Sequence, residues 1–475
     1  MRIVWLLSPP FLFIQGINIM SISPTPASES RNSFFLDILR RELIPATGCT
    51  EPIAIAYAAA KAREILGVIP DRAVVQVSGN LIKNVKSVYV PNTDRQRGIA
   101  AAAAVGIIAG DAQKELEVIS QVSALQRSEV NQYLERNVIQ VEYLDSPCSF
   151  DLIITVFSGE RSALVHLEDY HTNIVELKKD GLPIAIPGKE NAINSDRSDA
   201  ATLPIIGPTA RHKKILDKHG EDYDFSRVSV KSILEFANAV ELDSVQELLQ
   251  TEIEYNMAIA EEGLKNSYGA NIGSTILKSY DTADVKIRAQ AYTAAGSDAR
   301  MGGCALPVVI NSGSGNQGLT VSIPVIVYAQ ELNVSQEKLY RALILSNLIA
   351  IYIKNGMGRL SAYCGAISAS SGAGAGIAYL HGGGLREISH TVVNSIAILS
   401  GVICDGAKAS CAAKIAAAVN AAVLGFLMFT NNENEFVNGE GLVAKGIEAT
   451  INNIIRLGKE GMKETDKEII RMMMN

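Results

Sequence analysis

The sequence predicts an α+β protein, a mainly helical Ala/Gly-rich body interrupted by an inserted α/β unit. Two observations carry this. Ala-rich runs such as IAIAYAAAKAREIL (53–66), and the all-round apolar ALILSNLIAIYI (342–353), have the length and texture of buried helices. Between about 71 and 270 the texture changes, and short β-branched segments bounded by turn residues replace them. The 475 residues suffice for about three domains at roughly 150 residues each. The expected layout is a leader (1–30), a helical catalytic unit from 31–70 plus 271–475, and an α/β insert at 71–270.

In chain order, the first twenty residues contain one basic residue, Arg2, and an apolar run split by Pro9-Pro10. That is a poor signal peptide and too short to span a bilayer, so a disordered or dispensable leader is expected. NSFFLDILRREL then reads as a helix ending before Pro45. PATGCTEP is a tight connection in which Thr50 can cap the following helix, with Cys49 just ahead of its electropositive end, where a thiol pKa falls. In the insert, AVVQVSGN, VKSVYVPN, VIQVEYL, FDLIITVFS, SALVHLED and TNIVELKKD read as strands. GIAAAAAVGIIAGDA and LEVISQVSALQRSEVNQYL read as helices between them, and 191–214 as a polar loop. Helices return at SVKSILEFANAVE, SVQELLQTEIEYNMAIAEEGL and VKIRAQAYTAAGSDA. NSIAILSGVIC and the Ala-rich run after Cys411 read as further buried helices, ahead of an exposed charged tail.

Composition narrows the function classes. A charged fraction of 20% and a net charge of −7 offer no basic face for nucleic acid. The six histidines form neither H-x-x-x-H nor H-E-x-x-H. The six cysteines sit beside Gly and Ala rather than in a dense framework, which fits a reducing compartment. Three of them, Cys364, Cys404 and Cys411, fall in one C-terminal stretch and suggest a metal or cluster site more than disulfides. Seven residues of straight helix would separate Cys404 from Cys411 by roughly 10 Å at about 1.5 Å per residue. If they share a site, the helix must break between them, and Asp405-Gly406 is the natural place, with Ser410 capping the helix beyond. Cys148 and Cys304 read as packing residues. NSGSGNQG (311–318) is neither a Walker loop nor a dinucleotide fingerprint, but its glycines and amides suit a small polar ligand.

PATGCTEP (45–52), ARMGGCALPVVINSGSGNQG (299–318), SAYCGAISASSGAGAG (361–376) and GVICDGAKASCAAK (401–414) together resemble the L-cysteine desulfidase family, a relative of the α chain of iron–sulfur L-serine dehydratases. The resemblance runs from about Asn32 onward with the four motifs in order. It implies that Cys364, Cys404 and Cys411 hold a [4Fe-4S] cluster and that Cys49 acts as base. It further implies pyridoxal-independent β-elimination of L-cysteine to pyruvate, ammonia and sulfide in the cytoplasm. The substrate is expected to be held by Asn311, Ser312, Ser314 and Asn316 with Ser370 and Ser371. Thiol and hydroxyl leaving groups are not separated by these residues, so L-serine deamination is the alternative. Two readings from other classes remain: a membrane transporter, on the uncharged stretches 302–330 and 360–385, and a non-catalytic cluster or zinc protein completed by Cys304. No nucleic-acid or membrane partner is expected, and a homodimer is plausible for so large an apolar body.

Overall fold

The computed structural model describes residues 26–186, 215–216, 222–223, 225, 228–432, 436, 439 and 441–474. Most of the expected leader and the polar run 191–214 lie outside them. Helix α1 (Pro26–Glu42) leads into strand β1 (Pro45–Thr47) and helix α2 (Thr50–Leu66). Next come β2 (Arg72–Ser78), α3 (Gly79–Val85), α4 (Gly98–Ala109) and α5 (Ala124–Glu135), then β3 (Ile139–Leu144), β4 (Asp151–Ser158), β5 (Arg161–Glu168), β6 (Ile174–Lys179) and β7 (Leu182–Pro183). These strands form one six-stranded sheet in the order β3-β2-β4-β5-β6-β7, with β2 and β3 parallel and every other pair antiparallel. The two-residue strands β8 (Ile215–Leu216) and β9 (Asp222–Tyr223) pair with each other.

The rest is helical except for β10 (Pro307–Val309): α6 (Val230–Ala239), α7 (Gln246–Lys265), α8 (Ile272–Ser279), α9 (Val285–Met301), α10 (Gly315–Glu331), α11 (Gln336–Met357), α12 (Gly365–Leu380), α13 (Leu385–Ile398), α14 (Ser410–Asn432), α15 (Ile447–Arg456) and α16 (Lys463–Met474). The α+β expectation holds, with a mostly helical body. Within 71–270, the sheet with α4 and α5 forms one packed group. Helices α6 and α7 instead pack on α11 and α9 of the body.

The Gly/Ser run that opens with Cys364 is the central helix, α12, which packs on α10, α11, α13 and α14. Small residues make this possible. A Cβ on Gly372 would lie 2.3 Å from the Ser346 carbonyl oxygen of α11, so only glycine lets the two backbones come so close. Helix α2 packs on the sheet group, against α4 and against β4 and β5. Its crossing with α4 depends on Gly106, where a Cβ would lie 2.2 Å from the Ala56 carbonyl oxygen.

Three local expectations are corrected. VKSVYVPN is no strand: after α3 it forms a loop closed by one bridge, Tyr89 to Arg97, with Asn92, Asp94 and Arg95 at positive φ. The helix expected across 116–134 is a short 3₁₀ segment, Ala112–Glu117, followed by α5, whose capping box Ser123–Gln126 restarts the helix. GVIC lies beyond the end of α13, in extended backbone. The charged tail is exposed as expected, with no buried residue in α16, and it is also docked: Asp466 bonds to Asn80 and Lys83 of α3, and Ile470 packs on Gly79.

Candidate active site

Short β1 and β10 pair antiparallel, Ala46 opposite Val308, and so bring PATGCTEP beside NSGSGNQG. Cys49, rather than Thr50, is the N-cap residue of α2. Thr50 is its first helical residue, and its hydroxyl donates to the Gly313 carbonyl at 2.8 Å, binding the two motifs together. Gly48 is left-handed at φ +72°, and a side chain there would collide with Pro91.

The three C-terminal cysteines meet in one place. The bridge between Tyr363 and Ile403 sets the two segments side by side. Cys364 N–H donates to Val402 O at 3.1 Å, and Cys404 N–H to Ala362 O at 2.7 Å. The chain then breaks at Gly406, φ +95°, where a Cβ would lie 2.1 Å from the Lys83 carbonyl oxygen. It restarts as α14 at Ser410, which puts Cys411 in the first turn, the break the spacing required. Asp405 is held by Lys408 at 2.8 Å and Lys414 at 2.6 Å, so its carboxylate is already spoken for. Burial raises its pKa, but the two lysine hydrogen bonds win and bring it down to about 2.

Cys49 faces the same place. Its thiol lies 4.0 Å from the Met301 sulfur at the end of α9, in a small apolar cluster with Val88 against which Cys411 packs. The N-termini of α2, α10, α12 and α14 thereby converge, since Gln317 in the first turn of α10 lies against Gly365, the first residue of α12. Each such end carries roughly half a positive charge, so together they favour an anionic group. Lys354, buried to 3% exposure on α11, adds an ammonium near Cys404 and Cys364. Burial brings its pKa down to about 8, against the opposing pull of those cysteines.

The thiols do not have the lowered pKa expected at a helix end. Burial pushes Cys49 up to about 12, with Arg300 lowering it only in part. Burial likewise takes Cys364 to about 12 and raises Cys411, and the neighbouring cysteines add to both. Desolvation outweighs the helix ends while the thiols face one another alone. Such a set is suited to a cation that would hold thiolates in place of protons. Among the described residues, no three His, Cys, Asp or Glu side chains are poised around a single ion. Three thiols without a fourth protein ligand would suit a multinuclear group better than a closed four-ligand zinc site. Cys304 sits apart in the main core, against Tyr268.

The polar residues expected to bind substrate divide into two groups. Asn311 is buried, donating to Asn347 Oδ1 at 2.9 Å and accepting from Ser312, while Ser314 caps α10. These three build the loop. Asn347 in turn donates to both oxygens of buried Glu252, and Asn256 one turn further along α7 grips Val309 of β10. Asn316 differs: its amide lies 3.7 Å from Met301 sulfur and its Oδ1 is buried without a partner. Ser370 and Ser371 lie too deep in α12, with both hydroxyls donated to Ile367 O and Ser371 also bonded to Ser395 of α13. They pack helices and do not face the thiols.

Sequence reading assigned no role to Arg300 and Met301, although both stand inside a quoted motif, and took Gln317 only as one of the amides of NSGSGNQG. His171 stands outside every quoted motif. That ring is buried on Phe150, beside Gly313 and Arg359, and burial with two nearby guanidinium groups lowers its pKa to about 3, so it is neutral.

The uncharged stretches 302–330 and 360–385 form β10, α10 and α12, all packed within the body. One helix among the described residues, Ser410–Asn431, is long and apolar enough to cross a membrane, with 61% of its most apolar window buried.

Comparison with known proteins agrees with this geometry. Residues 113–471 match the family model described as serine dehydratase alpha chain. A UPF0597 protein of Desulfitobacterium hafniense is 54% identical over 93% of this chain and 96% of its own length. UPF0597 proteins of Lachnoclostridium phytofermentans and Treponema denticola are 49% and 42% identical, over 93% and 94% of this chain and 99% of theirs. With its motifs gathered at one site and its similarity running nearly end to end, the chain belongs to the serine dehydratase alpha-chain family and to its UPF0597 group.

Proposed function

We propose that this protein eliminates sulfide from L-cysteine, giving pyruvate and ammonia. The observation that supports this most is the meeting of Cys364, Cys404 and Cys411 with the separate thiol of Cys49 where four helix N-termini converge. A [4Fe-4S] cluster on the three cysteines would supply an iron without a protein ligand, a Lewis acid toward the leaving sulfur.

The chain's own groups do the rest. Cys49 thiolate takes the Cα proton, the C–S bond breaks, and its electron pair leaves with sulfur as sulfide. The 2-aminoacrylate left behind tautomerises to an imine, which water hydrolyses to pyruvate and ammonia. Asn316 orients the substrate beside Met301, and the Asn311–Ser312–Ser314 turn fixes the loop that carries it. Arg300, which lowers the Cys49 pKa, favours the thiolate form. Six cysteines that are all free thiols fit a reducing compartment, so we place the protein in the cytoplasm.

The family's name favours L-serine as a second substrate, with water leaving in place of sulfide. Anaerobically reconstituted protein assayed with both amino acids decides the matter: sulfide and pyruvate in equal amounts from L-cysteine are expected. Pyruvate from L-serine alone would make the dehydratase reading the correct one.

A further inference from the structure

Among the described residues, Arg300 is a buried cation with no carboxylate bonded to it. It is 3% exposed, yet its one hydrogen bond among the described residues is from Nε to the Gly48 carbonyl, at 3.1 Å. Glu51 is the buried acid whose charge it feels, and no hydrogen bond joins the two among the described residues. A desolvated guanidinium left without a bonded anion is costly, and its planar fork matches a carboxylate. The neighbourhood is built around it. A Cβ on Gly315 would lie 2.3 Å from Arg300 Nε, so glycine there lets the first turn of α10 rest directly on the guanidinium.

Two buried acceptors stand on that same turn. Among the described residues, Asn316 Oδ1 and Gln317 Oε1 are both sealed from solvent without a hydrogen-bond donor. Gln317 lies against Gly365, next to Cys364, while Asn316 shares the Met301 sulfur with the Cys49 thiol. Orphaned buried acceptors call for a donor that the chain does not supply. The site thus sets an unsatisfied cation of α9 against two unsatisfied acceptors on the first turn of α10, flanked by the base thiol and by a cysteine of the proposed cluster.

We infer that this turn is a zwitterion receptor for an α-amino acid: Arg300 takes the carboxylate, and the amide oxygens of Asn316 and Gln317 take the ammonium. This deepens the proposed function by naming the groups that select the substrate class, and neither Arg300 nor Gln317 is needed to hold metal. The arrangement selects against amines without an acid and acids without an amine, because each leaves one half of the receptor unpaired. It leaves the side-chain leaving group unspecified, so L-cysteine and L-serine both fit.

Calorimetric binding to the anaerobically prepared protein tests this without turnover, using Cys49→Ser as background so that ligands are not consumed. L-Cysteine and L-serine are expected to bind, and cysteamine and 3-mercaptopropionate to bind about a hundredfold more weakly, the loss a charged hydrogen-bonded group brings. Arg300→Gln should weaken L-cysteine about a hundredfold and leave cysteamine unchanged. Asn316→Leu with Gln317→Leu should do the reverse, sparing 3-mercaptopropionate. Iron content should stay at the level of the parent in both. Undiminished L-cysteine binding in Arg300→Gln, or equal binding of cysteamine and L-cysteine to the parent, would overturn the receptor. Iron loss in Arg300→Gln would assign the guanidinium to the cluster instead. Absence of sulfide release with the receptor pattern intact would remove only the desulfidase reading.

Discussion

Replacing Glu252 by Gln should stabilise the protein at neutral and alkaline pH. Glu252 is fully buried on α7, and its only hydrogen bonds among the described residues come from the Asn347 amide, at 3.1 and 3.0 Å. Burial pushes its pKa up to about 8, which the Asn347 hydrogen bond opposes only in part. The folded protein therefore keeps a proton that the unfolded chain releases above an ordinary carboxylate value near 4.5. Native molecules bind more protons than unfolded ones between those limits, so stability falls as pH rises from about 4.5 to about 8. At about 1.4 kcal/mol per unit, the loss at pH 7 is about 3 kcal/mol. Glutamine keeps the shape and an oxygen for Asn347 but has no charge to suppress. For a chain of this size, about 1 kcal/mol of unfolding entropy per degree converts that gain to about 3 °C in Tm. Thermal unfolding followed by circular dichroism at pH 5 and pH 8 reads both quantities. The variant should show a flatter pH dependence and a higher Tm at pH 8. A variant less stable at pH 8, with the wild-type slope retained, would refute the reasoning, because it would mean that Glu252 is ionised and usefully paired.

Other expectations follow from particular contacts. Asp466→Asn leaves the Lys83 ammonium buried without its carboxylate, and should cost about 3 kcal/mol in denaturant unfolding. Because the Lys83 carbonyl backs Gly406, it should also hasten iron loss in air, measured by the decay of visible absorbance. Gly318→Ala forces a methyl to within 2.0 Å of the Val309 carbonyl oxygen and should destabilise by about 2 kcal/mol or more, read from the urea midpoint. If Cys49 is the base, kcat/KM for L-cysteine should rise with pH, because burial holds its thiol protonated. A profile flat from pH 7 to 9 would assign the base to another group.

Much of this was legible in the residues because periodicity and backbone chemistry are local. Helices α2, α7, α9 and α11, five of the strands and the break at Gly406 all announce themselves in texture or in glycine placement. VKSVYVPN misleads because β-branched alternation also suits a loop whose valines, Val88 and Val90, turn inward onto other elements. The thiols show a different limit. Helix ends can be read from spacing, but burial depends on what the whole chain folds around them, and here desolvation decides the pKa. Ser370 and Ser371 look like ligand groups in a Gly/Ser run, yet at helical spacing they face α13 and the interior of α12. Arg300 was invisible for the opposite reason: an arginine in sequence carries no sign that its carboxylate partner is missing.

The central claim is that three thiols hold the cluster while the fourth does not. Iron analysis of anaerobically purified protein, with each cysteine changed singly to serine, tests it most directly. About four irons per chain are expected in the parent and in the variants at Cys49, Cys148 and Cys304, with most of the iron lost on changing Cys364, Cys404 or Cys411. Full iron retention after any of those last three changes, or its loss with Cys49→Ser, would contradict the account.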